Sequence, residues 1–461
     1  MRYIMALALL TFLAAPTVGK TQSEHETLIA TNQETRSASL VAMRNGLTSV
    51  TFVWPMGDQT PQNVDAIQAG MFSVLTGGTE SRTPSQIATF MRQKGVSKRV
   101  STLEDNLLLT VSAPDDVFPE VLVHLENLLL KATYSDDWYA RELRKLRRPI
   151  ASTTRQSSDV LSRVERFLNY ANTDEEAQSI DPRFRFGKPS QVVLRSNDAE
   201  VTVRTRRLLA KLPPDASRSR LGDWLQRLVN RNSTAFTLPR GIIHFADPTS
   251  SETLLFLVSA QEFQSEAQQL GANLLLDYIG SNQGSEMFRI IRQELRASYD
   301  PESRFVVLGD KRALLVLSAT VEAAEWPEIH GRMRGIYRDV RHGKVDQKGL
   351  EIQYAQLKQS YEDKLFFDAV WTAEQYLRAH PEGATGDIEI PIFNAFGQVN
   401  FDEIIDNAND YLPPFEDFLL VVVGGGVAPP ADLTRHELCS LEKFEPIDHC
   451  LKSLPSGVST P

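Results

Sequence analysis

The sequence is poor in the residues and patterns that carry familiar chemistry. It has only two cysteines, Cys439 and Cys450, and none of its eight histidines stands in an H-x-x-E-H or H-E-x-x-H pattern. Two imidazoles one helical turn apart, the zinc clasp of most metallopeptidases, are therefore excluded. There is no G-x-S-x-G nucleophile elbow, and Gly424-Gly425-Gly426 runs into Pro429-Pro430 instead of the lysine and helix of a phosphate loop. Basic charge is also short. Lys and Arg number 49 against 59 Asp and Glu, a formal net charge of -10, so the field that nucleic acid requires is missing. The cluster Arg141, Arg144, Lys145, Arg147 and Arg148 reads as a solvated helix face. Past the first residues no apolar run reaches the roughly 18 to 20 residues of a membrane span.

The start is apolar. Met1-Arg2 precedes an apolar run from Ile4 to Ala15, then Pro16-Thr17-Val18-Gly19, the pattern of a secretory signal peptide over residues 1–19. The expectation is an exported, periplasmic or extracellular protein without a lipid anchor, since no cysteine lies near the cleavage site. In such a compartment Cys439 and Cys450 are expected to pair, worth roughly 3 kcal/mol for so short a loop. His436 and His449 beside them leave a zinc knot as the other reading.

With 42% hydrophobic and 23% charged residues the composition is that of a globular protein of two or three domains. Two stretches share one grammar. In the first, Ser39 to Met43 and Ser49 to Trp54 read as a hairpin across Asn45-Gly46. Helices follow from Pro61 and Ser85, then strands Val96 to Ser101 and Asn106 to Ala113, then helices from Asp116 and Ser135. In the second, strands Gly241 to Ala246 and Thr253 to Ser259 precede helices Gln261 to Ile279 and Ser285 to Leu295. A hairpin across Gly309-Asp310 and helices from Ala324 and Gln347 close it. LLLTVSAPDDVFPEV from Leu107 and ALLVLSATVEAAEWPEI from Ala313 each run an apolar strand through Ser-Ala into a helix holding proline. The expected fold is α+β, two homologous halves, each an antiparallel-rich mixed sheet packed with helices in a clam-shell arrangement. The expected divisions are a signal peptide at 1–19, a lead-in at 20–38, halves at 39–212 and 240–430 joined by a linker at 213–239, and a tail at 431–461. The apolar strand Asp417 to Val423 has no evident counterpart in the first half, where Ser217 to Gly222 is rich in arginine.

The stretch Gln283 to Tyr299 reads as an amphipathic helix, with Ser285, Met287, Phe288 and Ile291 on one face, that delivers Arg292 near its end. Tyr299 follows seven residues later, at the expected start of a strand. A guanidinium and a phenol at one junction can grip a peptide carbonyl or its oxyanion, though each residue also has an ordinary structural use.

Duplicated halves, the turn at Gly78-Thr79, Asp247-Pro248 with Ser250-Ser251, Ser285-x-x-Phe288 leading to Arg292 and Tyr299, and a terminal apolar strand together resemble the insulinase and pitrilysin family of zinc peptidases. The branch is that of the mitochondrial processing peptidase, and the likeness covers roughly residues 39–426. The resemblance places Ala69 and Ser73 where that family has its zinc histidines, Phe72 where it has its base, and Arg147-Arg148 near its glutamate ligand. It therefore implies a non-catalytic member with no metal or cofactor of its own. Its expected role is that of a subunit lending Arg292 and Tyr299 to a homologous partner that carries H-x-x-E-H and zinc, acting on a peptide or unfolded polypeptide. Departures from the family are Gln293 after the arginine and Arg296 where glycine is common. The other reading is a degenerate scaffold or peptide-binding protein of the same fold.

Overall fold

The computed structural model describes residues 36–425 and the pieces 438–441, 450–451 and 454, apart from 40–42, 44–45, 56–60, 104–105, 134, 147–156, 171–186, 197, 214–235, 247–249, 310, 381–385, 388–389 and 391. The expected signal peptide, most of the linker, Arg147-Arg148, Asp247-Pro248, His436 and His449 lie outside the described residues.

The first half supplies β1 (Arg36–Ser39), β2 (Leu47–Pro55), β3 (Ser97–Leu103), β4 (Asn106–Pro114) and β5 (Gln191–Arg195). The second supplies β6 (Gly241–Ala246), β7 (Glu252–Glu262), β8 (Glu302–Gly309), β9 (Arg312–Glu322), β10 (Gly386–Asp387), β11 (Leu419–Gly424) and β12 (Leu438–Leu441). They form two six-stranded sheets, ordered β10-β1-β5-β2-β4-β3 and β12-β6-β11-β7-β9-β8. The two orders superpose strand for strand, and so do the directions. β1 runs parallel to β5 as β6 does to β11, while β2 and β7 are antiparallel to both of their neighbours. The central strands are buried along nearly their whole length, which explains why LTSVTFVWP and ETLLFLVSAQE read as continuous runs.

The helices repeat as well. In the first half they are α1 (Pro61–Thr76), α2 (Pro84–Gln93), α3 (Phe118–Lys131), α4 (Asp136–Leu146), α5 (Ser157–Tyr170) and α6 (Ala199–Lys211). The second half has α7 (Glu266–Gly280), α8 (Trp326–Arg341), α9 (Gln347–Phe367) and α10 (Ala369–Ala379). Both α3 and α8 start on a fully buried aromatic followed by proline, Phe118-Pro119 and Trp326-Pro327. The proline suits a first turn whose N–H has no partner, and the aromatic plugs the helix onto its sheet.

Two sequence expectations fail, for related reasons. β1 and β2 are not a hairpin, because β5 lies between them, parallel to β1 and antiparallel to β2. A turn signal such as Asn45-Gly46 is local and cannot report a strand that arrives about 150 residues later. The counterpart of β11 is that same strand, QVVLR at Gln191–Arg195, one helix before the arginine-rich stretch from Ser217 to Gly222.

The halves exchange elements. Val160 and Val164 of α5 pack with Ile243, Phe256, Val316 and Val421 of the second sheet. Ala373, Tyr376 and Leu377 of α10 pack with Val53, Leu108 and Val193 of the first. Burying Tyr376 and Leu377 this way contributes about 2 kcal/mol each. β10, from the second half of the chain, closes one edge of the first sheet. Arg195 at the end of β5 is fully buried and donates to the carbonyls of Leu365 and Asp368 and to Thr372 Oγ1, so a first-half side chain caps the C-terminus of second-half α9.

Candidate functional site

Helix α1 holds Ala69, Phe72 and Ser73, the three positions that the family resemblance gives to a zinc clasp. Ala69 and Ser73 are completely buried, and Phe72 packs against the first-half core. Ser73 Oγ donates to Ser135 O at 2.7 Å and accepts from Ser135 N at 3.3 Å, stapling α1 to the head of α4. Past its end, a Cβ at Gly77 would lie 2.7 Å from Ser73 O and 2.8 Å from Thr133 O, so only glycine allows this close approach. The buried acid on α4, the helix packed on α1, is Glu142, and it pairs with Lys145 at 2.7 Å. Methyl, benzyl and a hydroxymethyl already committed to a backbone carbonyl do not fit a zinc ion, whose protein ligands are imidazole, thiolate or carboxylate. Among the described residues no group of three His, Cys, Asp or Glu converges as metal ligands do.

The second-half stretch is built differently from its expectation. Asn282 Oδ1 accepts the Gly284 N–H and Asn282 O accepts the Ser285 hydroxyl, fixing the turn that starts the helix. Ser285, Met287 and Ile291 are buried as the periodicity implied. From Phe288 to Glu294, however, the winding is π and not α, with the Leu295 N–H reaching back to Ile290 O. Tyr299 lies in the loop ahead of β8, not on a strand, and is 86% exposed.

That winding brings Arg292 and Tyr299 together. The guanidinium stands 5.0 Å from the Phe288 ring centroid and 5.7 Å from that of Tyr299, between the two rings, and Nη1 donates to Tyr299 O. Its neighbour Arg289 takes the nearby carboxylates, Glu286 and Glu294. Arg292 is thus an exposed cation held by two aromatic faces and one carbonyl. Sequence reasoning missed Phe288 as the second face, although an aromatic four residues before an arginine on a helix is a readable signal. Arg296, the departure from the common glycine, has φ of 57°, the left-handed value that glycine adopts freely.

Buried charge collects where the halves meet. Burial pushes Glu165 of α5 up to about 7, against Arg378 and with Glu374 of α10 adding to the rise. Burial likewise raises Glu374, and it takes Asp277 of α7 up to about 7 despite Lys364. In the first half, burial and then the charges of Arg82 and Lys98 hold His124 down at about 4, so it is a neutral ring packed on Phe90. Cys450 is buried and disulfide-bonded, and the chain has one other cysteine, Cys439, on β12.

No family model and no curated protein matches the sequence. Solved structures do match the fold. A peptidase M16 inactive domain from Pseudomonas fluorescens superposes at a TM-score of 0.60 with 14% identity, covering 87% of this chain and 98% of that one. The chain has the M16 peptidase fold. A protease from Helicobacter pylori matches at 0.61, with 12% identity over 83% of this chain and 96% of that one. The periplasmic protease PqqL from Escherichia coli matches at 0.56, with 13% identity over 84% of this chain and 44% of that one. The M16 architecture is the one that the sequence resemblance to the insulinase and pitrilysin peptidases implied.

Proposed function

We propose that this chain is an exported, non-catalytic subunit of a heteromeric zinc peptidase, and that it presents Arg292 and Tyr299 to the site of a partner carrying H-x-x-E-H. The observation that carries this reading is the stack of Phe288, Arg292 and Tyr299, an exposed guanidinium and phenol side by side on a fold whose own α1 has Ala69, Phe72 and Ser73 at the three zinc-clasp positions. Arg292 would hold a substrate carbonyl and Tyr299 would donate to the oxyanion formed in the partner's site. The substrate is a peptide or unfolded polypeptide, taken as an added strand along an open edge; β3 and β8 end their sheets among the described residues. The periplasmic location of PqqL and the apolar leader support export. The other reading, a scaffold or peptide-binding protein without chemistry, draws support from the bond of Arg292 Nη1 to Tyr299 O, which gives the arginine a purely internal use.

Purification from the native host tests the proposal. The chain should co-purify with an H-x-x-E-H homologue, the zinc should reside in that homologue, and the chain alone should cleave no peptide. Stoichiometric zinc in the single chain, with cleavage that a chelator stops, contradicts it.

A further inference from the structure

Tyr299 is exposed, yet the residues on both sides of it are tied down. Ser298 is buried and bridges to Val321 of β9, and its hydroxyl donates to Asp300 Oδ1 at 3.0 Å and accepts the Asp300 N–H at 3.2 Å. The Asp300 carboxylate reaches the same strand. Its Oδ1 accepts the Thr320 N–H and its Oδ2 accepts the Thr320 hydroxyl, both at 3.0 Å. A surface loop left to itself spreads an exposed side chain over many placements, but here the backbone carrying the phenol is fixed one residue away in each direction.

The loop then enters β8 at Glu302, and there the first half of the chain takes part. Glu302 Oε1 accepts from Ser318 Oγ at 3.1 Å, from Arg304 Nη2 at 2.6 Å and from Ser157 Oγ at 3.1 Å, and Arg304 Nη2 donates also to Ser157 Oγ at 3.3 Å. Ser157 is the first residue of α5. Its hydroxyl stands inside an ion pair, giving its hydrogen to the carboxylate and taking one from the guanidinium, so both of its bonds are charge-assisted. Val160 and Val164, further along the same helix, are buried against the second sheet and hold α5 where Ser157 meets Glu302. Tyr299 therefore lies between an anchor on β9 and a tie to the other half.

We propose that Asp300 and Glu302 are the positioning residues of the Arg292 and Tyr299 stack, and that Ser157 ties its placement to the seating of α5. The first half, which carries no part of the stack, thereby sets how firmly it is held. Because Arg292 Nη1 donates to Tyr299 O, a shift of the loop is felt by both members of the pair. The inference rests on the role proposed above for that pair.

Amide hydrogen exchange of the full chain, joined to kcat and KM of the proposed complex, is the test. Asp300→Ala should speed exchange across residues 297–303 about tenfold while α5 stays protected, and Ser157→Ala should speed it about threefold in the same residues. Asp300→Asn should restore the slower exchange, since its amide keeps an acceptor for the Thr320 N–H and offers a donor to the Thr320 hydroxyl. In the complex, Asp300→Ala should lower kcat about tenfold with KM within about twofold, and should lower it no further when Arg292→Ala, Tyr299→Phe is already present. Ser157→Ala removes a single hydroxyl and keeps the test in hand if Asp300→Ala does not fold. Unchanged exchange at 297–303 in the alanine variants overturns the proposal, and so does a loss of kcat that persists in the doubly altered background. A double change that leaves kcat unaltered is a separate failure: it removes the role of the stack, and this proposal with it, whatever the exchange shows.

Discussion

Arg296 follows the π-helix at φ of 57°, a backbone position where a Cβ is penalised and glycine is not. Arg296→Gly should therefore stabilise the chain by about 1 kcal/mol, read as a raised denaturation midpoint. A lowered midpoint would mean that the arginine side chain makes a contact worth more than the strain. Arg195 presents the opposite case. Its guanidinium is buried, its pKa lowered to about 10 by that burial with Asp368 opposing, and it serves carbonyls at the end of α9. Arg195→Met removes the guanidinium's bonds and leaves those carbonyls to Thr372 alone, and it should cost about 3 kcal/mol, measurable by denaturant unfolding. Of these residues the sequence made Arg292 and Tyr299 legible, because a fixed spacing survives without context. Phe288 was visible only as part of an apolar stripe. Arg195 was not visible at all, since its partners lie some 170 residues away.

Helices α5 and α10 cross between the halves, as β10 does, and the facing charges of the two helices make the joint sensitive to pH. Glu165 faces Glu374 and Arg378, and its folded pKa of about 7 lies above the ordinary 4.5. The folded state holds this proton more tightly than the unfolded chain does. The stability it contributes is therefore complete below about 4.5 and is lost as the pH rises through about 7. Glu165→Gln should flatten that part of the dependence, seen as a smaller difference in melting temperature between about pH 5 and about pH 8. An unchanged slope would place the titration elsewhere. At this scale the sequence was readable where a helix or strand is long and periodic, as for α3, α8 and β9. It misled where topology decides. β5 is five residues long and inserts between β1 and β2, and π winding at Phe288–Glu294 differs from α by one hydrogen-bond step that no periodicity reveals.

For the molecule as a whole, the repeated strand order, the paired Phe118-Pro119 and Trp326-Pro327 starts and the reciprocal helices describe one unit used twice and interlocked. The duplication was legible because both copies keep the same strand-to-helix grammar. The interlocking was not, because it depends on contacts between distant segments. The M16 fold persists here around an α1 that carries Ala69, Phe72 and Ser73 at the positions the family resemblance gives to a zinc clasp, and the stack at Arg292 lies exposed on the second half. The most direct measurement of that account is the peptidase kcat/KM of the proposed complex between this chain and an H-x-x-E-H homologue, with and without the double change Arg292→Ala, Tyr299→Phe. With the complex intact by size-exclusion chromatography, the account predicts a fall of about a hundredfold or more. A rate within about twofold of the unaltered complex would contradict it and leave the chain as a scaffold.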